Sequence, residues 1–159
     1  MSLADDAARR EDVWRVYLAG EIHSDWRARI AHGIEQAGLA VQLLSPVLDH
    51  TASDEVGVEI LGDERENFWK DRKGASINAI RTRRAIARAD VVVVRFGPEY
   101  RQWNAAFDAG YAAALGKSLI TLHDQEHDHA LKEVDAAAQA VCREPEQVVG
   151  VLSYVMGQR

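Results

Sequence analysis

The run Val91-Val-Val-Val94, with the stretch from Arg95 to Lys117 behind it, constrains the fold of this chain more than any other feature. Successive β-branched residues read as a strand. Gly97-Pro98 then breaks it, and an alanine-dense segment with helical periodicity follows. Strand, loop and helix in that order are one unit of a parallel α/β sheet. In such sheets ligands bind at the carboxyl ends of the strands, where this loop sits. The loop and the first helical turns carry Arg95, Gln102, Asn104 and Asp108. Trp103, Phe107 and Tyr111 recur at helical spacing and form one aromatic stripe. Asn104 and Asp108 share the neighbouring face. With Asn104 or the residue before it as the cap, Asp108 would lie near the positive end of the helix dipole, which favours its ionised form. An anionic oxygen directed into a strand-end crevice suits a carboxylate nucleophile or an acceptor for a sugar hydroxyl. The competing reading makes Asn104 a simple cap and Asp108 a surface dipole partner.

The rest of the chain repeats the unit. Val13 to Ala19 reads as the first strand, and Gly20-Glu-Ile-His-Ser24 as its strand-end loop. Ser24 or Asp25 can cap a helix from Trp26 to Ala37 that stops at Gly38. Such a turn presents backbone N–H groups to an anion or a sugar, but Glu21 within it discourages a neighbouring phosphate. It lacks both the full glycine fingerprint of a dinucleotide site and the lysine of a phosphate loop. Leu39 to Leu44 is the second strand. The stretch from Ser45 to Gly74 lacks sustained periodicity, so it is either a functional lid or hides short helices, one of them over Asp63 to Asp71. Ser76 to Asp90 is an amphipathic helix with Ile77, Ile80 and Ala87 toward the sheet and Arg81, Arg83, Arg84 and Arg88 solvated; Asp90 is structural. Gly116 to Leu122 is a helix stop and the fourth strand. His123-Asp-Gln-Glu-His-Asp-His129 matches no zinc spacing and reads as a surface turn, placed at a strand end where it could close a pocket. Ala136 to Cys142 can form the fifth strand, and Pro145 opens the last helix. Strands alternating with helices predict a doubly wound, five-stranded parallel sheet in the order 2-1-3-4-5 with helices on both faces.

Composition narrows the function. The 159 residues suit one domain over 13–159 behind a disordered leader over 1–12 that lacks the apolar core of a signal peptide. A formal net charge of -6 argues against nucleic acid as partner. No apolar run is long enough to span a bilayer. The lone cysteine, Cys142, forbids an internal disulfide and suits a reducing cytoplasm. No cofactor or metal is expected.

The stretches Val16-Tyr-Leu-Ala-Gly20, Ala87 to Val94 and Gly110-Tyr-Ala-Ala-Ala-Leu-Gly-Lys117 resemble the nucleoside 2-deoxyribosyltransferase superfamily. Ser53 to Gly57, Asp71 to Asn78 and Arg95 to Gly110 resemble its YtoQ branch more closely. The resemblance implies a flavodoxin-like fold and a homo-oligomer with sites near subunit contacts. It further implies attack by a helical carboxylate on the anomeric carbon of a nucleoside or nucleotide. Asp108 occupies the place of that carboxylate, where the enzymes carry a glutamate. Gln102 stands where they carry a second acid, and Glu99 in the same loop is the candidate substitute. Asn104 would steady the carboxylate or a sugar hydroxyl. Tyr17, Gly20, Glu21, Ser24, Asp71, Arg95 and Gln102 complete the expected ligand-binding set. Transfer or hydrolysis of an N-glycosidic bond is the leading expectation. Non-catalytic nucleoside or nucleotide binding is the alternative, and a metal-dependent hydrolase built on Asp49, His50 and the His123–His129 segment a distant third.

Overall fold

The structure is a computed structural model, described here for residues 13–99 and 102–157. Its centre is an all-parallel sheet of β1 (Trp14–Gly20), β2 (Val41–Leu44), β3 (Val91–Phe96), β4 (Ser118–His123) and β5 (Ala140–Cys142), ordered β2-β1-β3-β4-β5. This is the predicted order. Val16 pairs with Val91 and Gly20 with Arg95, so β1 and β3 end level. The chain leaves these two strands in opposite directions, which opens a crevice between their carboxyl ends.

Strand parity divides the core. Val16, Leu18, Val91, Val93, Ile120 and Leu122 point to one face, against Trp26, Ile30 and Ile34 of α1 (Trp26–Gln36) and Val148 and Leu152 of α6 (Pro145–Val155). Tyr17, Ala19, Val92, Val94, Phe96 and Leu119 point to the other. There they meet Ile86 of α3 (Asn67–Arg88), Ala105, Ala109 and Ala112 of α4 (Trp103–Ala114), and Leu131 of α5 (Asp128–Ala136). A strand buried on both faces has no polar alternation, which is why Val91–Val94 reads as an unbroken apolar run. Each fully buried aliphatic side chain stabilises by roughly 1.5–3 kcal/mol. The alanines of α4 contribute by letting that helix lie close to the sheet.

The helical map departs from the sequence expectation in three places. The aperiodic stretch after β2 is mostly helix: α2 (His50–Leu61), capped by Asp49, whose side chain accepts from the Ala52 amide at 3.0 Å, and then the first turns of α3. The helices expected over 63–71 and 76–90 are therefore one, α3. Its sheet-facing side is also not the predicted one, because Ile80 is 70% exposed and Ala87 is exposed while Ile86 is fully buried. Five arginines interrupt the apolar pattern of α3, and α2 covers part of that helix in place of the sheet. Finally, 128–136 is helix α5, which shortens the fifth strand to 140–142. His123 ends β4 with its side chain fully buried, so it is no surface turn; its Nε2 lies 3.0 Å from an Asp135 oxygen, and Asp135 accepts from Thr121 at 2.7 Å. Asp90 is structural as expected, accepting from the Arg15 amide at 2.7 Å.

Candidate active site

The crevice between β1 and β3 holds a cavity of about 1040 Å³. The β1 loop lines it with Gly20, Glu21, Ile22 and His23, and α4 with Gln102, Trp103, Asn104, Phe107, Asp108 and Tyr111. The α2–α3 pair forms the remaining wall with Ser53, Asp54, Asp71, Asn78, Thr82 and Arg83. A smaller chamber of about 220 Å³ adjoins it, lined by Tyr17, Ser45, Arg81 and Ala85, and sharing Pro46, Val47, Ser53, Asn78 and Thr82.

Asp108 is set into the α4 wall and half buried. Burial pushes its carboxyl up to about 6 from 3.8. This corrects the expectation that the helix dipole would favour the anion. The helix begins at Trp103 with Gln102 in the cap position and no side-chain cap bond, so neither Asn104 nor Trp103 caps it. Asp108 then lies beyond the first turn, where the dipole has faded and desolvation dominates. At neutral pH such a carboxyl is still mostly ionised, and it is more basic than a solvated one. Asn104 is exposed one turn earlier on the same cleft wall.

Tyr17 lies beneath this wall. Its phenol is pushed up to about 12, mainly by burial, while Thr82 draws it down and Asp108 raises it further. The hydroxyl is buried and makes no hydrogen bond of ordinary geometry, although Thr82 is within its reach. It remains a protonated donor at every physiological pH.

The β1 loop is held from both sides. Gly20 adopts φ +98°, and a β-carbon there would fall 2.1 Å from the Arg95 carbonyl oxygen, so only glycine lets β1 end against β3. Arg27, reaching back from α1, donates to the carbonyls of Leu18 at 3.0 Å, Gly20 at 3.1 Å and Glu21 at 2.5 Å. Its guanidinium stacks over Trp26, and burial pulls it down to about 10. Nothing in the sequence pattern separates Arg27 from the other polar residues of an amphipathic helix; only the folded chain brings it to the β1 loop. Glu21 is only 7% exposed. Its carboxylate accepts from the amides of His23 and Ser24 and from the Ser24 hydroxyl at 2.5 Å. Burial opposes its ionisation, but those bonds outweigh it and hold the carboxyl below its usual range. The opposite loop fits against it: a β-carbon on Gly97 would lie 2.5 Å from Glu21 Cγ.

The structure gathers Gly20, Glu21, Asp71, Gln102, Asn104 and Asp108 into one cleft, with Tyr17 in the adjoining chamber. Three expected residues stand apart. Arg95 falls on the opposite sheet parity from Phe96 and lies 3.6 Å from Asp124. Ser24 is spent on Glu21. Glu99 is exposed outside the lining, and its carbonyl accepts from Gln102 Nε2 at 3.0 Å. Gln102 ties the loop together, since its Oε1 also accepts from the Gly97 amide at 3.1 Å. Among the described residues no group of His, Cys, Asp and Glu is placed to hold a metal ion, and the side chain of His50 lies outside them.

The family model described as "Nucleoside 2-deoxyribosyltransferase YtoQ" matches residues 17–156, from the tyrosine of β1 to the end of α6. The chain belongs to the YtoQ family of nucleoside 2-deoxyribosyltransferases. Within it, YtoQ of Bacillus subtilis (strain 168) is 40% identical over 140 residues, covering 88% of this chain and 95% of that one. Two solved structures share the fold. A 2-deoxyribosyltransferase from the psychrotolerant Bacillus psychrosaccharolyticus superposes with a TM-score of 0.51 at 14% identity, over 87% of this chain and 95% of its own. A conserved protein from Enterococcus faecalis V583 gives 0.57 at 15% identity, over 90% and 99%. The family match takes in every cleft residue named above, including Asp54, Asn78 and Arg83, which the sequence reading did not single out as site residues.

Proposed function

We propose that this YtoQ-family protein breaks the N-glycosidic bond of a nucleoside in the β1/β3 cleft and passes the sugar to a second base or to water. The observation that carries the reading is Asp108, a carboxylate made more basic by burial, on the cleft wall beside the neutral Tyr17 hydroxyl. Its ionised oxygen attacks the anomeric carbon. The C1′–N bond breaks, its electron pair leaves with the base nitrogen, and that nitrogen takes up a proton. A glycosyl–aspartyl ester remains. Attack by an acceptor nitrogen or water then breaks the ester C–O bond and restores the carboxylate. Tyr17 donates to the carboxylate or to the ring oxygen, and Asn104 to a sugar hydroxyl. Asp71 contributes the acid that faces the base, in the role Gln102 cannot fill.

Asp108→Asn tests this directly. A panel of nucleosides, followed by mass spectrometry, should give free base with the wild type and none with the variant, while ligand affinity persists. Wild-type turnover by the variant would remove Asp108 from the mechanism. Asp108→Glu, with one more methylene, should raise the rate if reach limits the native carboxylate.

The presence of Gln102 where a second acid is expected favours one other reading, a nucleoside- or nucleotide-binding protein without turnover. Binding by wild type and Asp108→Glu with no free base from either would establish it. Assembly is part of the proposal as well. Trp103 and Phe107 are 72% and 64% exposed at the cleft mouth, and a second copy covering them would form a homo-oligomer around the site. Light scattering that shows a monomer at micromolar concentration would refute this. Residence in a reducing cytoplasm accords with the buried thiol of Cys142, and no helix among the described residues is long and apolar enough to cross a membrane.

A further inference from the structure

The turn after β1 is where an α/β sheet offers backbone N–H groups to a phosphate. Here the position is already filled. The Glu21 carboxylate accepts the amides of His23 and Ser24 together with the Ser24 hydroxyl, so the donors that would surround a phosphate are taken by an internal anion. Glu21 cannot easily swing away. It is 7% exposed, its own amide donates to the Arg95 carbonyl at 3.1 Å, and Gly97 packs against its Cγ more tightly than any side chain would allow. The wider lining has the same sign. Glu21, Asp54, Asp71 and Asp108 face the cleft, with Arg83 as the one arginine or lysine among the described lining residues.

We propose that Glu21 is a specificity-determining residue that rejects a phosphorylated ligand, so that the cleft takes a nucleoside with a free 5′-hydroxyl over its 5′-monophosphate. The proposal deepens the nucleoside reading and rests on it for the identity of the ligand, but the blocked turn stands on geometry alone. A phosphate brought beside Glu21 meets a like charge at short range and finds the amides of His23 and Ser24 already taken. A 5′-hydroxyl brings no charge and can donate to the outer carboxylate oxygen.

The test has two arms, both read by titration calorimetry on the full chain. In the first, inorganic phosphate is titrated into wild type and Glu21→Ala, with circular dichroism confirming that the variant is folded. The wild type should show no binding at millimolar phosphate, and Glu21→Ala should acquire a phosphate site by freeing the two amides. In the second, 2′-deoxynucleosides and their 5′-monophosphates are titrated into wild type and Glu21→Gln, which keeps an acceptor for Ser24 without the charge. The wild type should favour the nucleoside, and Glu21→Gln should narrow that preference by about tenfold or more, since juxtaposed like charges cost several kcal/mol. Phosphate binding by the wild type, a folded Glu21→Ala that gains none, or an unchanged preference in Glu21→Gln would each overturn the proposal. A wild type that binds no nucleoside in the panel refutes the nucleoside reading instead, and the phosphate arm still decides the role of Glu21.

Discussion

Gly57 of α2 and Gly74 of α3 cross so closely that a β-carbon on Gly57 would lie 2.4 Å from the Gly74 amide nitrogen. Asp54 and Asp71 each sit three residues before one of these glycines, so the crossing fixes where both carboxylates enter the cleft. Asn78 reinforces it, donating to the Ser53 carbonyl at 2.9 Å and to the Ser53 hydroxyl at 3.0 Å. Backbone atoms oppose the new methyl group, so Gly57→Ala must push the helices apart. It should lose roughly 1–3 kcal/mol in urea unfolding and weaken ligand binding with it. Gly110→Ala in α4 is the matched control: a β-carbon there meets nothing within 4 Å, and the change should stabilise by about 0.5–1 kcal/mol.

Asp108 ties function to a pH-dependent stability cost. Its folded-state carboxyl is raised to about 6 from 3.8. A raised acid stabilises the fold while protonated and loses that contribution as pH climbs through the folded value. The wild type should therefore lose stability between about pH 4 and pH 6 relative to Asp108→Asn, which has no proton to release. With discounting for its partial exposure, the variant should be about 1–2 kcal/mol more stable at pH 8 and indistinguishable from wild type below the unfolded carboxylate pKa. Urea melts across that range read the difference. A variant less stable than wild type at pH 8 would show that Asp108 is a structural partner.

Tyr17→Phe separates a ligand role from a packing role. The hydroxyl makes no ordinary hydrogen bond in the free protein, so its loss should change the melting temperature little. If the hydroxyl serves the sugar or Asp108, binding or turnover should fall about tenfold, the worth of one hydrogen bond in a dry site. Equal ligand behaviour of the two proteins would remove Tyr17 from the site.

Arg27→Lys tests the brace behind the β1 loop. One ammonium cannot reproduce a planar fork that reaches the carbonyls of Leu18, Gly20 and Glu21. The substitution should cost about 2 kcal/mol, and the amides of His23 and Ser24 should exchange faster. Unchanged exchange there would place the loop's rigidity in Glu21 alone.

The sequence by itself determined the sheet. Unbroken apolar runs such as Val91–Val94, glycine stops such as Gly38 and Gly116, and alanine-rich crossover helices are local signals, and they sufficed for five parallel strands in the order β2-β1-β3-β4-β5. They also singled out Asp108, Asn104, Gln102, Glu21 and Asp71, because strand-end loops and first helical turns can be located from periodicity, and the family resemblance supplied the rest. What the local pattern could not carry was set by contacts between distant segments. The helix α2 contains β-branched residues and Gly57, which lower its helix propensity, and it holds as a helix because it packs on α3. The protonation of Asp108 follows from its burial in the assembled cleft, which overrides the helix dipole that sequence alone suggests. The contact of Arg95 with Asp124 depends on the pairing of β3 with β4, a register that no single segment encodes. Glu21 packs into the turn after β1 because Gly97, across the crevice, has no side chain to keep it out.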